Sequence, residues 1–155
     1  MMKVFETILD KYKIAWEQRD PDLAKELFTA NATYHEDPFD RKPMKGRRQI
    51  YNYWAAVPRF QKNISFSYRP VFNLAGSNVW GAEWTAAYTK VETGERNTLK
   101  GVLFCKLSGR KISKFWEYWH LRGGSPAFTA NGVDVRTKAR SKRYRKGRYF
   151  GETYR

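Results

Sequence analysis

Residues 78–122 read NVWGAEWTAAYTKVETGERNTLKGVLFCKLSGRKISKFWEYWHLR. The run contains three strand-like segments, Asn78 to Val91, Thr98 to Leu107 and Ile112 to Arg122, separated by two turn signals. Glu92-Thr93-Gly94-Glu95 and Ser108-Gly109-Arg110-Lys111 supply the glycine and polar residues that hairpin turns use. A further strand precedes them. Ile64 to Phe72 alternates as Ile-Ser-Phe-Ser-Tyr, and Pro70 marks an edge or a bulge. The expected unit is an antiparallel meander of four strands.

Upstream, the period changes from two to between three and four. Phe5, Ile8, Leu9, Tyr12, Ala15 and Trp16 fall on one face of a first helix. Asp20-Pro21 opens a second: Asp caps free amides, and Pro at the first helical position has no amide to leave unpaired. Leu23, Leu27 and Phe28 form its apolar side. A short extended piece, Ala32 to Asp37, ends at Pro38. A third helix is expected from Gly46 to Val57, with Ile50, Trp54 and Val57 inward and Pro58 as its stop. Helices first and strands afterwards predict an α+β fold: a curved antiparallel sheet packed on three N-terminal helices.

Hairpin pairing sets the contents of each sheet face. If Val91 opposes Arg96 and Leu107 opposes Ile112, one face carries Trp84, Ala86, Tyr88, Leu99, Gly101, Leu103, Trp116, Tyr118 and His120. The other carries Glu83, Thr85, Ala87, Lys100, Val102, Phe104, Phe115, Glu117 and Trp119. The first is the more apolar and should meet the helices. The second keeps Phe104, Phe115 and Trp119, which suggests a homodimer through the outer sheet face. A one-residue slip in either hairpin would invert part of this assignment.

The chain has 155 residues, which suits one domain with a real core. The longest apolar runs are only a few residues, so no membrane span is expected. The N-terminus lacks the regions of a signal peptide. Cys105 is the lone cysteine, so an intrachain disulfide is excluded and a cytoplasmic, reducing compartment is expected. The formal net charge is +15, and residues 123–155 carry nine basic and two acidic side chains, or +7 of it. Eight of these basic residues lie between 136 and 148: Arg136, Lys138, Arg140, Lys142, Arg143, Arg145, Lys146 and Arg148. The expected division is a folded domain over 1–122 and a basic C-terminal tail over 123–155, joined at Gly123-Gly124-Ser125-Pro126.

Several pieces, in order and spacing, resemble the SnoaL-like branch of the nuclear transport factor 2-like superfamily over roughly residues 3–122. They are Tyr12-Lys-Ile-Ala-Trp16, Asp20-Pro-Asp-Leu-Ala24, Leu27-Phe28, Ala32-Thr-Tyr34, Asp37-Pro38, Gly46, Ile50, Tyr53-Trp54, Ala82-Glu-Trp84, Leu99-Lys-Gly-Val102 and Phe115-Trp-Glu-Tyr-Trp-His120. The resemblance implies a cone with a pocket between helices and sheet, often in a dimer. It implies either proton-transfer enzymes (cyclases, isomerases, dehydratases, epoxide hydrolases) or non-catalytic binding and assembly modules, so the fold alone does not choose.

Within that superfamily the ketosteroid isomerases pair a tyrosine on the first helix with an aspartate base before a proline. Tyr12 and Asp37 match those positions. The resemblance places Leu103, with Val102 as its neighbour, where a second hydrogen-bond donor belongs, and neither can donate. Loss of such a donor costs about a hundredfold or more. The candidate catalytic residues are therefore Asp37, Tyr12 and His120. Trp16, Trp54, Trp84, Leu103, Trp116 and Tyr118 are the candidate ligand-binding wall.

Other chemistries fit less well. The Asp-Arg-Asp set of the epoxide hydrolases is not supplied by Thr85, Val102 and Glu117. His35, Asp37 and His120 match no metal-ligand spacing, and no cofactor motif is present. Two classes of function follow. One is a pocket protein for a small apolar or aromatic ligand, with proton transfer available to it. The other is an accessory subunit whose tail, over residues 134–155, grips RNA or an acidic protein through interleaved cations and Tyr144, Tyr149, Phe150 and Tyr154.

Overall fold

The computed structural model describes residues 2–36 and 42–122. Asp37 and the basic tail lie outside the described residues. The first helix, α1 (Met2–Gln18), buries the stripe from Phe5 to Trp16. Its end is closed by a Schellman motif: the Asp20 amide donates to the Ala15 carbonyl at 2.8 Å and the Arg19 amide to Trp16 at 3.0 Å. Arg19 takes the left-handed conformation there, with φ of 58°. Asp20 then caps α2 (Pro21–Glu26), its carboxylate accepting the Leu23 amide at 2.9 Å. Phe28 does not extend α2 but starts β1 (Phe28–His35).

After the short β2 (Met44–Lys45) comes α3 (Gly46–Phe60), which continues past the expected stop. Pro58 removes only its own amide from the ladder. The Gln61 amide still reaches the Val57 carbonyl, so the last turn closes. The meander follows as β3 (Gln61–Asn73), β4 (Val79–Lys90), β5 (Arg96–Ser108) and β6 (Lys111–Arg122).

The six strands form one curved sheet in the order β2-β1-β6-β5-β4-β3. The helices pack against its concave face through α1 on β3 and α3 on β1. The sheet is mixed, because β1 pairs parallel with β6 and every other neighbouring pair is antiparallel. Pro70 sits on the edge strand at a ladder irregularity, so edge and bulge coincide there.

The two hairpins differ from the expected registers in different ways. In β4–β5, Thr89 rather than Val91 opposes Arg96. A five-residue turn with Gly94 at positive φ absorbs the offset, and a slip of two preserves the faces. In β5–β6, Leu107 does oppose Ile112, but Lys106 then opposes Lys114. Ser113 is the extra residue of a bulge, with its hydroxyl donating to the Lys106 carbonyl at 2.9 Å. A slip of one turns β6 over. Phe115, Glu117, Trp119 and Leu121 face the helices, and Trp116, Tyr118 and His120 face away.

The concave face is filled by rings. Tyr12 sits edge-on to Trp54 at 5.1 Å between centroids and stacks on Phe115 at 5.5 Å, while Trp84 stacks on Phe66 at 5.9 Å. Such contacts each add roughly 0.5–1.5 kcal/mol beyond area burial. Gly101 lies where β6 approaches β5 closely: a Cβ there would stand 2.1 Å from the Tyr118 carbonyl oxygen. Gly101→Ala should therefore lower stability by about 1–3 kcal/mol, read from urea unfolding. An unchanged midpoint would show that the two backbones separate freely.

Candidate functional site

Three elements bring their polar groups to one point under the rings. Tyr12 comes from α1, Tyr34 from β1 and Glu117 from β6. Alternation along β1 turns Ala32 and Tyr34 inward, and the bulge at Ser113 turns Glu117 inward. The Tyr34 hydroxyl donates to Glu117 Oε1 at 2.8 Å, and the Tyr12 and Tyr34 hydroxyl oxygens are 3.1 Å apart. Tyr34 has one proton to give. With Glu117 ionised, Tyr12 must then donate to Tyr34; with Glu117 protonated, the chain can run the other way.

Glu117 is 6% exposed. Burial pushes its carboxyl up to about 7, and the phenols of Tyr34 and Tyr12 beside it hold it from rising further. The same burial, with the Glu117 charge beside them, lifts the Tyr12 and Tyr34 phenols well above their ordinary value. They are neutral donors. Cys105, also raised by burial and by Glu117, is a thiol in the core and no nucleophile.

A cavity of about 30 Å³ lies over this group. Its wall includes Tyr12, Trp16, Trp54, Trp84, Glu36 and Glu117, with Tyr53, Tyr88, Leu99 and Trp119 completing it. The volume is close to one water's share of the liquid. Trp16 gives its indole N–H to Gln61 at 2.8 Å. The buried indole N–H groups of Trp54 and Trp84 make no hydrogen bond among the described residues.

The residues singled out from the sequence fall into three groups. Tyr12, Trp16, Trp54 and Trp84 come together on the cavity. Leu103 is fully buried on the concave face directly opposite Glu117, but it does not line the cavity. Trp116, Tyr118 and His120 are corrections: the bulge puts them on the convex face, where Trp116 stacks on His35 at 5.6 Å and Tyr118 is 44% exposed. Glu117 is the opposite correction, from the outer face to the centre of the site. Tyr34, Glu36 and Trp119 are further lining groups that pattern reading did not select. The strand carried one usable signal, since Phe115 and Leu121 are more apolar than Tyr118 and His120. Asp37 and the eight tail cations lie outside the described residues.

Among the described residues no cluster of three or more His, Cys, Asp or Glu side chains could hold a metal ion. No described helix is long and apolar enough to cross a membrane.

The chain belongs to the SnoaL-like domain family, whose model matches residues 9–115. Solved structures share the fold. A candidate isomerase from Bacillus subtilis is 22% identical, with a TM-score of 0.69 over 77% of this chain and 88% of that one. A candidate scytalone dehydratase from Novosphingobium aromaticivorans is 14% identical, with a TM-score of 0.68 over 78% and 85%. A nuclear transport factor 2-like superfamily protein from Salmonella enterica is 17% identical, with a TM-score of 0.61 over 72% and 85%. At these identities the likeness concerns the fold. No curated protein sequence matches the chain.

The buried carboxyl has a measurable signature. Its pKa is raised in the folded state, so the folded chain holds this proton between about pH 4.5 and about 7 while the unfolded chain releases it. Stability from this group is complete below that window, falls as pH rises through it, and is level above. The full difference is on the order of 3 kcal/mol. Glu117→Gln should therefore be more stable than wild type at about pH 8, and the gap should close towards about pH 5. Urea titrations of both proteins across that range test this, and a pH-independent gap would mean that Glu117 titrates normally.

Proposed function

We propose that this chain is a pocket protein that binds a small apolar or aromatic ligand and moves a proton on it. The supporting observation is the buried Glu117 carboxyl, held by Tyr34 and Tyr12 beneath aromatic rings, with a pKa of about 7. A carboxyl poised there serves as base and acid by turns at neutral pH. In this reading Glu117 takes a proton from a carbon next to a carbonyl and returns it elsewhere. The developing oxyanion accepts from the donors at hand, which are Tyr12 and the unengaged indoles of Trp54 and Trp84. These indoles would take the part that Leu103 cannot. Asp37, next in sequence to the cavity-lining Glu36, is the second candidate carboxylate. Isomerisation, dehydration and cyclisation all use this step, and the fold is shared with candidate enzymes of the first two kinds. Admission of a ligand requires a wall ring to move, and Trp119 and Tyr53 are the partly buried rings of that wall.

The test is exchange of α-hydrogens for deuterium on a panel of cyclic ketones and enones in D2O, followed by NMR. At least one panel member should exchange faster with the protein, and its rate should rise with pH through about 7 as the base form of Glu117 appears. Glu117→Gln should reduce it about 10²- to 10⁴-fold. A variant as fast as wild type would overturn the assignment.

The cavity's volume favours a second reading. A pocket that its own rings nearly fill suits a docking module, whose tail would hold RNA or an acidic protein through Arg136 to Arg148. Removal of residues 134–155 would then strip partners that co-purify with the full chain. An unchanged set of partners would end that reading.

A further inference from the structure

The convex face of the sheet carries a pattern that the pocket does not use. Along β5 and β6 the outward pairs are Lys106 with Lys114, Phe104 with Trp116, Val102 with Tyr118, and Lys100 with His120. Rings thus occupy the middle of the strip and lysines both ends, over a length of about 20 Å. Arg122 extends the cationic end, and residues 123–155 continue directly from it.

The rings pack on one another in two groups across neighbouring strands. Phe72 lies over Gly81, where a Cβ would stand 2.2 Å from its ring. It packs on Phe104 at 5.6 Å, Phe104 meets Tyr118 at 6.0 Å, and His35 stacks on Trp116 at 5.6 Å. Tyr118 and Phe72 are 44% and 42% exposed. The nearest acidic group on the neighbouring strand, Glu83, is already paired with Arg69 at 2.6 Å.

We infer that this convex face is a stacking platform for single-stranded nucleic acid. Bases lie on Trp116, Tyr118 and Phe104, and the phosphates run between the Lys106–Lys114 pair at one end and Lys100 with Arg122 at the other. A sheet with two or three outward aromatics reads unpaired bases in this way, because every base has a π-face and every linkage an anionic oxygen. Charge selects this occupant over a second copy of the chain. Two such faces pressed together would set Lys100, Lys106, Lys114 and Arg122 against their own kind, with the engaged Glu83 as the offsetting carboxylate among the described residues of these strands. A polyanion meets the same groups as counter-ions and releases its own.

The full-length chain is titrated by fluorescence anisotropy with labelled oligo(U) and oligo(dT) of about 12 nucleotides, and with an RNA duplex of equal length. Trp116→Ala and Tyr118→Ala should each weaken single-strand binding about 5- to 100-fold and leave duplex binding unchanged, since the basic tail serves both. Equal losses with the two oligonucleotides assign the contact to base and phosphate; a loss with oligo(U) alone assigns part of it to the ribose hydroxyl. The triple variant Lys100→Glu, Lys106→Glu, Lys114→Glu alters only exposed side chains and should weaken binding and flatten its salt dependence. Ring variants with wild-type melting curves and wild-type affinity would overturn the inference. If the ring variants unfold, unchanged oligo(U) affinity in the lysine variant overturns it equally. So would a dimer in sedimentation that Tyr118→Lys dissociates, since the face would then be covered by a second copy.

Discussion

The hydroxyl of Ser113 reaches the carbonyl of Lys106, and the β5–β6 ladder gains one residue at that point. Side chains alternate along a strand, so one extra residue exchanges everything beyond it between the two faces. Phe115 then joins the ring cluster around Tyr12 and Tyr34, and Glu117 accepts the Tyr34 hydrogen bond. Trp116 and Tyr118 are left on the convex side beside Phe104. In an unbroken ladder the cone would hold a phenol and a histidine where it holds a carboxylate. The polar centre of the concave face and the aromatic band of the convex face therefore have one cause.

Much of this fold is legible in the chain, because local signals agree with one another. The Phe5 to Trp16 stripe, the Asp20 cap and the two glycine-bearing turns each specify one conformation. The inward set on β4 and β5 survives a two-residue error in register, because parity is kept. The site is less legible for the same reason. Its acid depends on parity along β6, and no composition rule marks Ser113 as an inserted residue. The parallel seating of β1 beside β6 is likewise a long-range pairing that no local run of sequence encodes. The persistence of α3 through Pro58 is a smaller case, in which closure of the last turn outweighs one lost amide bond.

A carboxyl placed among rings opposes folding whenever it is charged. Two phenols offset part of that cost and leave the remainder as a raised pKa. A chain selected only for stability would carry glutamine or leucine at position 117. The N–H groups of Trp54 and Trp84 on the cavity, which have no partner among the described residues, act in the same direction, since a buried donor without an acceptor is destabilising. Strain of this kind concentrates where a ligand or a reaction supplies the missing interaction.

The bond between Tyr34 and Glu117 also joins residues 83 apart in the chain. Their strands meet in the pairing that spans the greatest sequence distance in the sheet, whereas β3 to β6 are linked by short turns. Closing a loop of that length costs roughly 4 kcal/mol in chain entropy, beyond a constant set by stiffness. The meander is assembled from near neighbours, and non-local pairings of this kind slow a chain's folding. In the unfolded chain Glu117 faces water and titrates as an ordinary carboxylate. Folding therefore takes up a proton between about pH 4.5 and about 7, and the completed sheet fixes the charge state of its own centre.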